Sequence, residues 1–444
     1  MSGLQPVLPS NQAPSTFEYG GDEISAIVLD PGTAWIRAGF AGEDTPKSVI
    51  PSDYGILEEA GENGGKKYFI GDNDVHSIRP GMEVKNPMSD GIVADWEAAT
   101  TLWREAITPR LTAALSEHPL LMTEPSWNPP KNREKTIEIA FEDYDVPAFY
   151  LAKAGVCAGF ASGKSTGLVI DVGASNISVT PIHDGLVLRK GCVRSPLGGE
   201  FLSNQIRAYF ESANIPLSAH YQVLSKTAVE VGKPAEATYR TFAPGEEPTE
   251  SYKRFQEERV LTEFKECTAQ VWVGPGPLPG NNNPPLEAAH AILSPGGRTF
   301  EFPDGYNLVF NSERFRITEG IFHPPSMLTA PNPDPHTTPG LNQLIANAMK
   351  DIDVELRQMI LNNIVITGAG SLLYGFTDRV NAEIAAAFPA PRVRVMAAGN
   401  SVERRYASWL GGSILASLGA FHQLWVSKKE YEEHGPNIVE KRCK

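Results

Sequence analysis

Apolar runs that stop on an acid give the chain its first pattern. Ala26 to Leu29 is continuously apolar and ends at Asp30; Pro31, Gly32 and Thr33 follow, and an alternating run through Trp35, Arg37 and Gly39 resumes at once. This predicts strand, tight turn, strand, with the carboxylate delivered to the turn. The pattern recurs in "LVIDVGASNISVTPIHDG", Leu168 to Gly185, where the apolar strand ends at Asp171 and the chain turns at Gly173. A single Asp in a turn needs no explanation beyond its hydrogen bonds to nearby backbone. Two copies of strand, Asp-x-Gly and returning strand point to a duplicated fold whose halves each offer a turn to a shared cleft.

Elsewhere strand-like runs (Leu168–Ile170, Ile177–Pro181, Asn363–Thr367) alternate with helix-like runs (Asp95–Glu105, Asn132–Phe141, Gly199–Phe210, Ser401–Leu418), which predicts an α/β architecture. In the last run Val402, Tyr406, Trp409 and Leu410 share one face at helical spacing. Gly411 and Gly412 lower helix propensity there, so a close backbone approach is expected. A third glycine element, Asn362–Val380, reads as a strand, Gly368-Ala369-Gly370-Ser371 and a helix; its Gly-x-Gly lets backbone approach a sugar or base, and a helix N-terminus favours phosphate. It lacks the third glycine of a dinucleotide fingerprint. "AGFASGKST", Ala158 to Thr166, carries Gly-Lys-Ser but has Ala158 where a P-loop needs glycine, and it precedes a strand rather than following one.

At 444 residues the chain exceeds one ordinary core, so two or more domains of roughly 100–200 residues are expected. Residues 1–20, rich in Ser, Pro, Asn and Gln, predict a flexible arm, and the proline-dense stretches Gly274–Pro285 and His323–Gly340 predict surface loops. Lys plus Arg number 39 against 53 Asp plus Glu, a net charge of -14, which argues against direct DNA binding because a phosphate-binding face needs the opposite sign. The cysteines (Cys157, Cys192, Cys267, Cys443) show no CxxC spacing, so a reducing compartment without disulfides or zinc is expected. No apolar run is long enough to span a membrane and the N-terminal residues lack a signal-peptide pattern, so no membrane partner is expected.

The two Asp-x-Gly turns carry the chemistry. Tight turns of small residues present backbone N–H groups to phosphate oxygens, and Thr33 or Ser175 can add a hydroxyl donor. Two carboxylates facing a polyphosphate repel it unless a divalent cation lies between them, and Mg²⁺ keeps waters while taking few protein oxygens. Asp30 and Asp171 are therefore candidate Mg²⁺ holders through water.

With these elements in hand, the chain resembles the actin superfamily over nearly its whole length: "AGFAGEDTPKSVIPS", "HPLLMTEPSWNPPKNREK", "FEDYDVPAFYLAKAGVCAGFASGKSTG" and "ERRYASWLGGSILASLGAFHQLWVSKKEYEEHG" look like actin segments in order and spacing. Thr33-Ala34-Trp35, the segment "VEKRCK" and extra residues around 231 to 300 are most similar to the nuclear actin-related proteins of chromatin complexes. The resemblance implies an actin-like duplicated fold, shared with sugar kinases and chaperone ATPases, with two lobes and four subdomains around a central nucleotide cleft. It divides the chain into residues 21–53, 88–161 and 402–444, residues 54–87, residues 162–197 and 317–401, and residues 198–316.

It further implies an ATP site with Mg²⁺. Asp30, Gly32 and Thr33 match the first phosphate loop, with Arg37 where actin has a phosphate-contacting Lys. Asp171 and Gly173, with Ala174 and Ser175, match the second. Gly368, Ala369 and Gly370 match the adenosine loop, Leu373 stands where actin has an aromatic residue beside the base, and Arg405 where a Lys flanks the adenine. Ala154, Ala174 and Ser178 replace the Gln, Asp and His that position actin's attacking water, so binding without turnover is expected. The acidic "GILEEAGENGG", Gly55 to Gly65, replaces a filament-gripping segment, so self-assembly is not expected. The implied partners are nuclear actin and a helical scaffold segment of a remodelling or acetyltransferase subunit, docked in a groove lined by Ile92–Ile107 and the C-terminal helical region, with histones a further candidate. The competing readings are an active ATPase or phosphotransferase of this fold and a polymerising actin.

Overall fold

The computed structural model describes residues 25–58, 65–274, 276, 278, 296–326, 328, 333–389 and 393–444. The predicted arm at 1–20, residues 59–64 of the acidic segment and most of the Gly274–Pro285 stretch lie outside the described residues, as do positions 327 and 329–332 of the second proline-dense stretch.

Two six-stranded sheets repeat one plan. The first runs Val426–Ser427, Ala148–Lys153, Leu120–Glu124, Ile27–Pro31, Trp35–Phe40, Ser48–Pro51. The second runs Leu186–Val187, Ile177–His183, Gly167–Val172, Ile364–Thr367, Val395–Ala397, with Val193–Ser195 also on Ile177–His183. In each, an antiparallel hairpin places its first strand parallel to a strand from much later in the chain. The registers correspond: Asp30 faces Arg37 in one hairpin and Asp171 faces Ser178 in the other. Ile27, Val28 and Leu29, like Leu168, Val169 and Ile170, are buried on both faces. That is why these strands read as continuous apolar runs and end at the first residue able to face a cleft. The duplicated α/β fold predicted from the sequence is the fold observed.

Helices cover both faces of each sheet. Trp96–Leu111 starts where Asp95 caps Ala98 N at 3.1 Å, and it packs on Ile27, Leu29 and Ile36. Ala407–Ser417 packs on the opposite face, on Val28 and Leu121. The expected groove shared by these two helices is therefore not formed: the first sheet lies between them. Asn132–Phe141 resolves into a helix Pro130–Glu138 and a wider turn Ile139–Asp143.

The single helix predicted over Ser401–Leu418 is two, Ser401–Arg405 and Ala407–Ser417, broken at Tyr406. The Arg404 carbonyl is diverted: it accepts from Gly368 N at 3.0 Å and Thr367 Oγ1 at 2.9 Å and leaves the helical ladder. Val402 is 38% exposed, so the buried face begins only after the break. Gly411 fulfils its expectation, because a Cβ there would lie 1.7 Å from the Cys157 carbonyl oxygen. Ala407–Ser417, packed on the first sheet, thus crosses backbone on backbone over Ala154–Ala161, whose Val156 and Ala158 pack on Val169 and Ile182 of the second sheet, so the two sheets are tied together at one end of the cleft.

At the other end the lobes meet again. A small sheet of Tyr54–Glu58, Lys66–Ile70 and Glu83–Lys85 faces the helix Glu250–Cys267, and Phe69, Met82 and Tyr252 form one buried cluster between them. Polar contacts ring it: Thr249 Oγ1 donates to Met82 O at 2.6 Å, Ser251 Oγ accepts from Val84 N at 2.9 Å, Tyr252 Oη donates to His76 O at 2.6 Å, and Gln256 Nε2 lies 3.0 Å from His76 Nδ1. Among the described residues no helix is long and apolar enough to cross a membrane.

Candidate functional site

The two Asp-x-Gly turns touch across the cleft, Thr33 Oγ1 lying 3.1 Å from Ser175 Oγ. Each turn is fastened through its glycine N–H and its carbonyls. Gly32 N donates to Trp35 O at 3.0 Å, Ser52 Oγ to Gly32 O at 2.7 Å and Asn86 Nδ2 to Thr33 O at 2.9 Å. In the second turn Gly173 N donates to Asn176 O at 2.9 Å, and the start of the helix Gly199–Ser212 supplies Gly199 N to Gly173 O and Glu200 N to Ala174 O. The N–H groups of Thr33, Ala34, Ala174 and Ser175 donate to nothing among the described residues. Four partly buried donors without partners, on two turns that touch each other, suit an anion cradle.

The two carboxylates behind the cradle are held differently. Asp30 is satisfied on both oxygens, by Arg37 Nη1 at 2.8 Å and Thr123 Oγ1 at 2.5 Å. Asp171 receives no hydrogen bond among the described residues; burial pushes its carboxyl up to about 6, the Asp30 charge adds to that, and Arg37 pulls the other way. The Thr367 hydroxyl, which stands beside Asp171 as Thr123 stands beside Asp30, is committed to Arg404 O. Arg37 lies with its guanidinium carbon 5.3 Å from the Tyr406 ring centre, and its buried Nε has no partner. A half-buried carboxylate without a hydrogen bond, an orphaned guanidinium N–H and four free amides fit a polyphosphate with a divalent cation. No group of three or more His, Cys, Asp or Glu among the described residues could hold a metal alone, so such a cation must bring waters or phosphate oxygens.

The third glycine element joins the same cleft. Gly368 has φ 87°, and a Cβ there would meet Val172 O at 2.4 Å and Asp171 Oδ1 at 2.5 Å; one at Gly370 would meet Val172 Cγ1 at 2.5 Å. These glycines are therefore required by the neighbouring strand itself. The helix expected directly after them starts later: a short turn, Ala369–Leu372, intervenes and the helix is Phe376–Ala387. Its N-terminus does not follow the glycines directly, so the phosphate role expected of it is not supported. Leu373 is half-buried, and Arg405 Nη2 pairs with Glu266 Oε1 at 3.2 Å.

Ala154 opens the Ala154–Ala161 helix, Ala174 sits in the second turn and buried Ser178 faces Asp171 across the hairpin. None of the three carries a side chain that ionises at neutral pH.

Sequence reasoning missed Thr123, Asn86, Asp53, Arg404 and Glu266. Thr123 had a signal, a hydroxyl inside the apolar run "LLMTEP"; the others are placed only by packing. Asp53, which accepts from Asn86 Nδ2 at 3.2 Å, is pushed up to about 6 by burial, partly offset by that hydrogen bond, with Glu200 and Glu258 raising it further.

Comparison with known proteins places these features in context. The family model described as Actin matches residues 21–444. The chain is 51% identical to actin-related protein 4 of Emericella nidulans, over 97% of this chain and 99% of the relative. It is 43% identical to actin-related protein 4 of Neurospora crassa, over 100% of both chains. It is 39% identical to the SWI/SNF and RSC complexes subunit arp42 of Schizosaccharomyces pombe, over 95% of this chain and 100% of the relative.

Proposed function

The chain belongs to the actin family, and from that premise we propose that it is a nuclear, ATP-binding structural subunit of chromatin remodelling and histone acetyltransferase assemblies. The observation that carries the nucleotide reading is the cradle of free N–H groups at Thr33, Ala34, Ala174 and Ser175, bridged by the two hydroxyls. The assembly reading is supported by the relative named as a subunit of the SWI/SNF and RSC complexes.

In this reading the cradle donates to the phosphate oxygens. Arg37 swings its free guanidinium edge toward them while keeping Asp30, and Asp30 and Asp171 hold the waters of Mg²⁺, whose charge offsets that of the phosphates. Gly368, Ala369 and Gly370 bring backbone to the sugar side, with Leu373 and the Arg405–Glu266 pair at the base. Turnover needs an oriented water, and Ala154, Ala174 and Ser178 present two methyl groups and one buried hydroxyl. ATP is bound and kept. The phosphotransferase alternative lacks a carboxylate base in the second turn, Ala174-Ser175-Asn176.

The four-subdomain division at the boundaries given above belongs to the same proposal, as does pairing with actin on a helical scaffold segment. The wall offered to that segment is the end of Ala407–Ser417 and the residue after it, where Ile414 and Leu418 are exposed while Trp409 is buried. Denaturing the purified protein and chromatographing what is released is the test: mostly ATP is expected, and mostly ADP, or steady phosphate release in solution, overturns the non-hydrolysing reading.

A further inference from the structure

A cavity of about 420 Å³ opens between the second sheet's outer edge and the C-terminal segment, away from the Asp-x-Gly turns. Lys153, Arg189, Lys444 and Glu440 supply its charged lining and Leu186 and Val187 its apolar wall. We infer that this cavity receives an extended, acidic and apolar peptide segment of another protein chain, an acidic side chain facing Arg189 and Lys444 and an apolar one resting on Leu186 and Val187.

Charge supplies the first argument. Glu440 is already paired with Arg133, and Glu124 is shared between Arg133 Nε at 2.8 Å and Lys153 Nζ at 2.5 Å. That set of two acids and two bases, buried except for the half-buried Glu440, is self-compensating. Arg189 and Lys444 are exposed and have no ion-pair partner among the described residues, and the same holds for Lys190 beside them. A surplus of positive charge around one concavity stands out on a chain with net charge -14. It selects an anionic partner by complementarity. Lys153 feels the same surplus: burial holds its ammonium below the ordinary lysine value, Glu124 opposes this, and Arg133 and Arg189 lower it further.

Shape decides the class of anion. The cavity is far larger than one inorganic phosphate and falls in the range of sites for larger ligands, about 300–1,000 Å³. A polyphosphate would meet the apolar wall and two carboxylates, Glu440 and, behind Lys153, Glu124. Leu186 is 46% exposed and lies on the terminal strand of its sheet, so the strand's outer edge can bond an extended backbone. An acidic side chain followed by an apolar one uses every part of this lining. Peptide binding here is independent of nucleotide in the cleft.

Fluorescence anisotropy on the full chain tests it, with a fluorescein-labelled peptide of alternating Glu and Leu and a counterpart with every Glu replaced by Gln. The Glu peptide is expected to bind with an affinity that falls as salt rises, and the Gln peptide about tenfold or more weaker. The double variant Arg189→Glu with Lys444→Glu is expected to lose about tenfold in affinity for the Glu peptide. It should keep the parent's thermal unfolding midpoint, since neither side chain is buried. Equal binding of both peptides, or no loss in the double variant, overturns the inference. Displacement of the Glu peptide by inorganic phosphate or by a DNA oligonucleotide at equal concentration overturns the peptide assignment.

Discussion

Asp30 and Asp171 occupy equivalent places in a repeated hairpin, yet their surroundings make them unequal candidates for holding the proposed cation. Asp30 spends both oxygens on Arg37 and Thr123; Asp171 has none committed. Asp171→Asn should therefore weaken Mg·ATP binding about tenfold or more while changing Mg-free ATP binding little, as calorimetry with and without EDTA would report. Equal losses in both conditions would show that Asp171 acts on the fold and not on the cation. Asp53 gives a pH signature. Its carboxyl, raised to about 6 against an ordinary 3.8, makes the folded state bind more protons than the unfolded chain between those values. Stability from this group is thus greatest below about pH 4 and is lost as pH rises through about 6. Asp53→Asn keeps an acceptor for Asn86 and removes the charge. It should be more stable than the parent by about 2 kcal/mol at neutral pH, with the gap closing near pH 4, measured by urea unfolding at both pH values. Residues of this kind were only partly legible in the sequence. The two acids were marked by apolar runs that stop on them, whereas Asp53 and Asn86 sit in unremarkable polar stretches and gain their roles only when folding closes space around them.

Among the elements, the helix crossing at Gly411 and the contact around Tyr252 hold the cleft from its two ends. Gly411→Ala places a methyl group against the Cys157 carbonyl and is expected to cost about 3 kcal/mol or more, the upper range for overpacking. Gly412→Ala, whose Cβ would meet only side-chain methyls at 3.0 Å and 3.1 Å, should cost about 1 kcal/mol; denaturant midpoints of the two variants separate these outcomes. Tyr252→Ala removes a buried ring and its hydrogen bond to His76 O. It should speed release of a fluorescent ATP analogue about tenfold in stopped flow, and an unchanged rate would mean that the mouth of the cleft opens elsewhere. Periodicity made the helices and the glycine crossing legible, because a glycine pair inside an apolar helix has few other uses. The break at Tyr406 was not legible: it depends on the Arg404 carbonyl being taken by Gly368 and Thr367, and no local pattern encodes that.

For the whole molecule, the repeated sheet plan was visible in the sequence because a duplicated strand-turn-strand survives as a duplicated apolar pattern. Which faces the helices cover was not visible, and the groove expected between Trp96–Leu111 and Ala407–Ser417 fails for that reason. The chain is expected to stay monomeric by itself: under Mg²⁺ and salt conditions that polymerise actin it should remain in the supernatant on sedimentation, and a filamentous pellet would contradict this.

The closed outline of the cleft bears on how this protein could sense metabolism. Lobes free to open read the ratio of ATP to ADP, because exchange lets occupancy follow the pool. Here the Gly411 crossing ties the two sheets at one end and the Phe69, Met82 and Tyr252 cluster closes the other, so on the proposed reading the binding energy of a nucleotide is expected to appear mainly as resistance to unfolding. On the proposed reading such a molecule would take its nucleotide when it folds and then cease to report on supply. ATP held in that way would behave like a structural metal ion in a small domain, a part installed once, and the abundance of folded protein, rather than its activity, would be what a shortage of ATP changes.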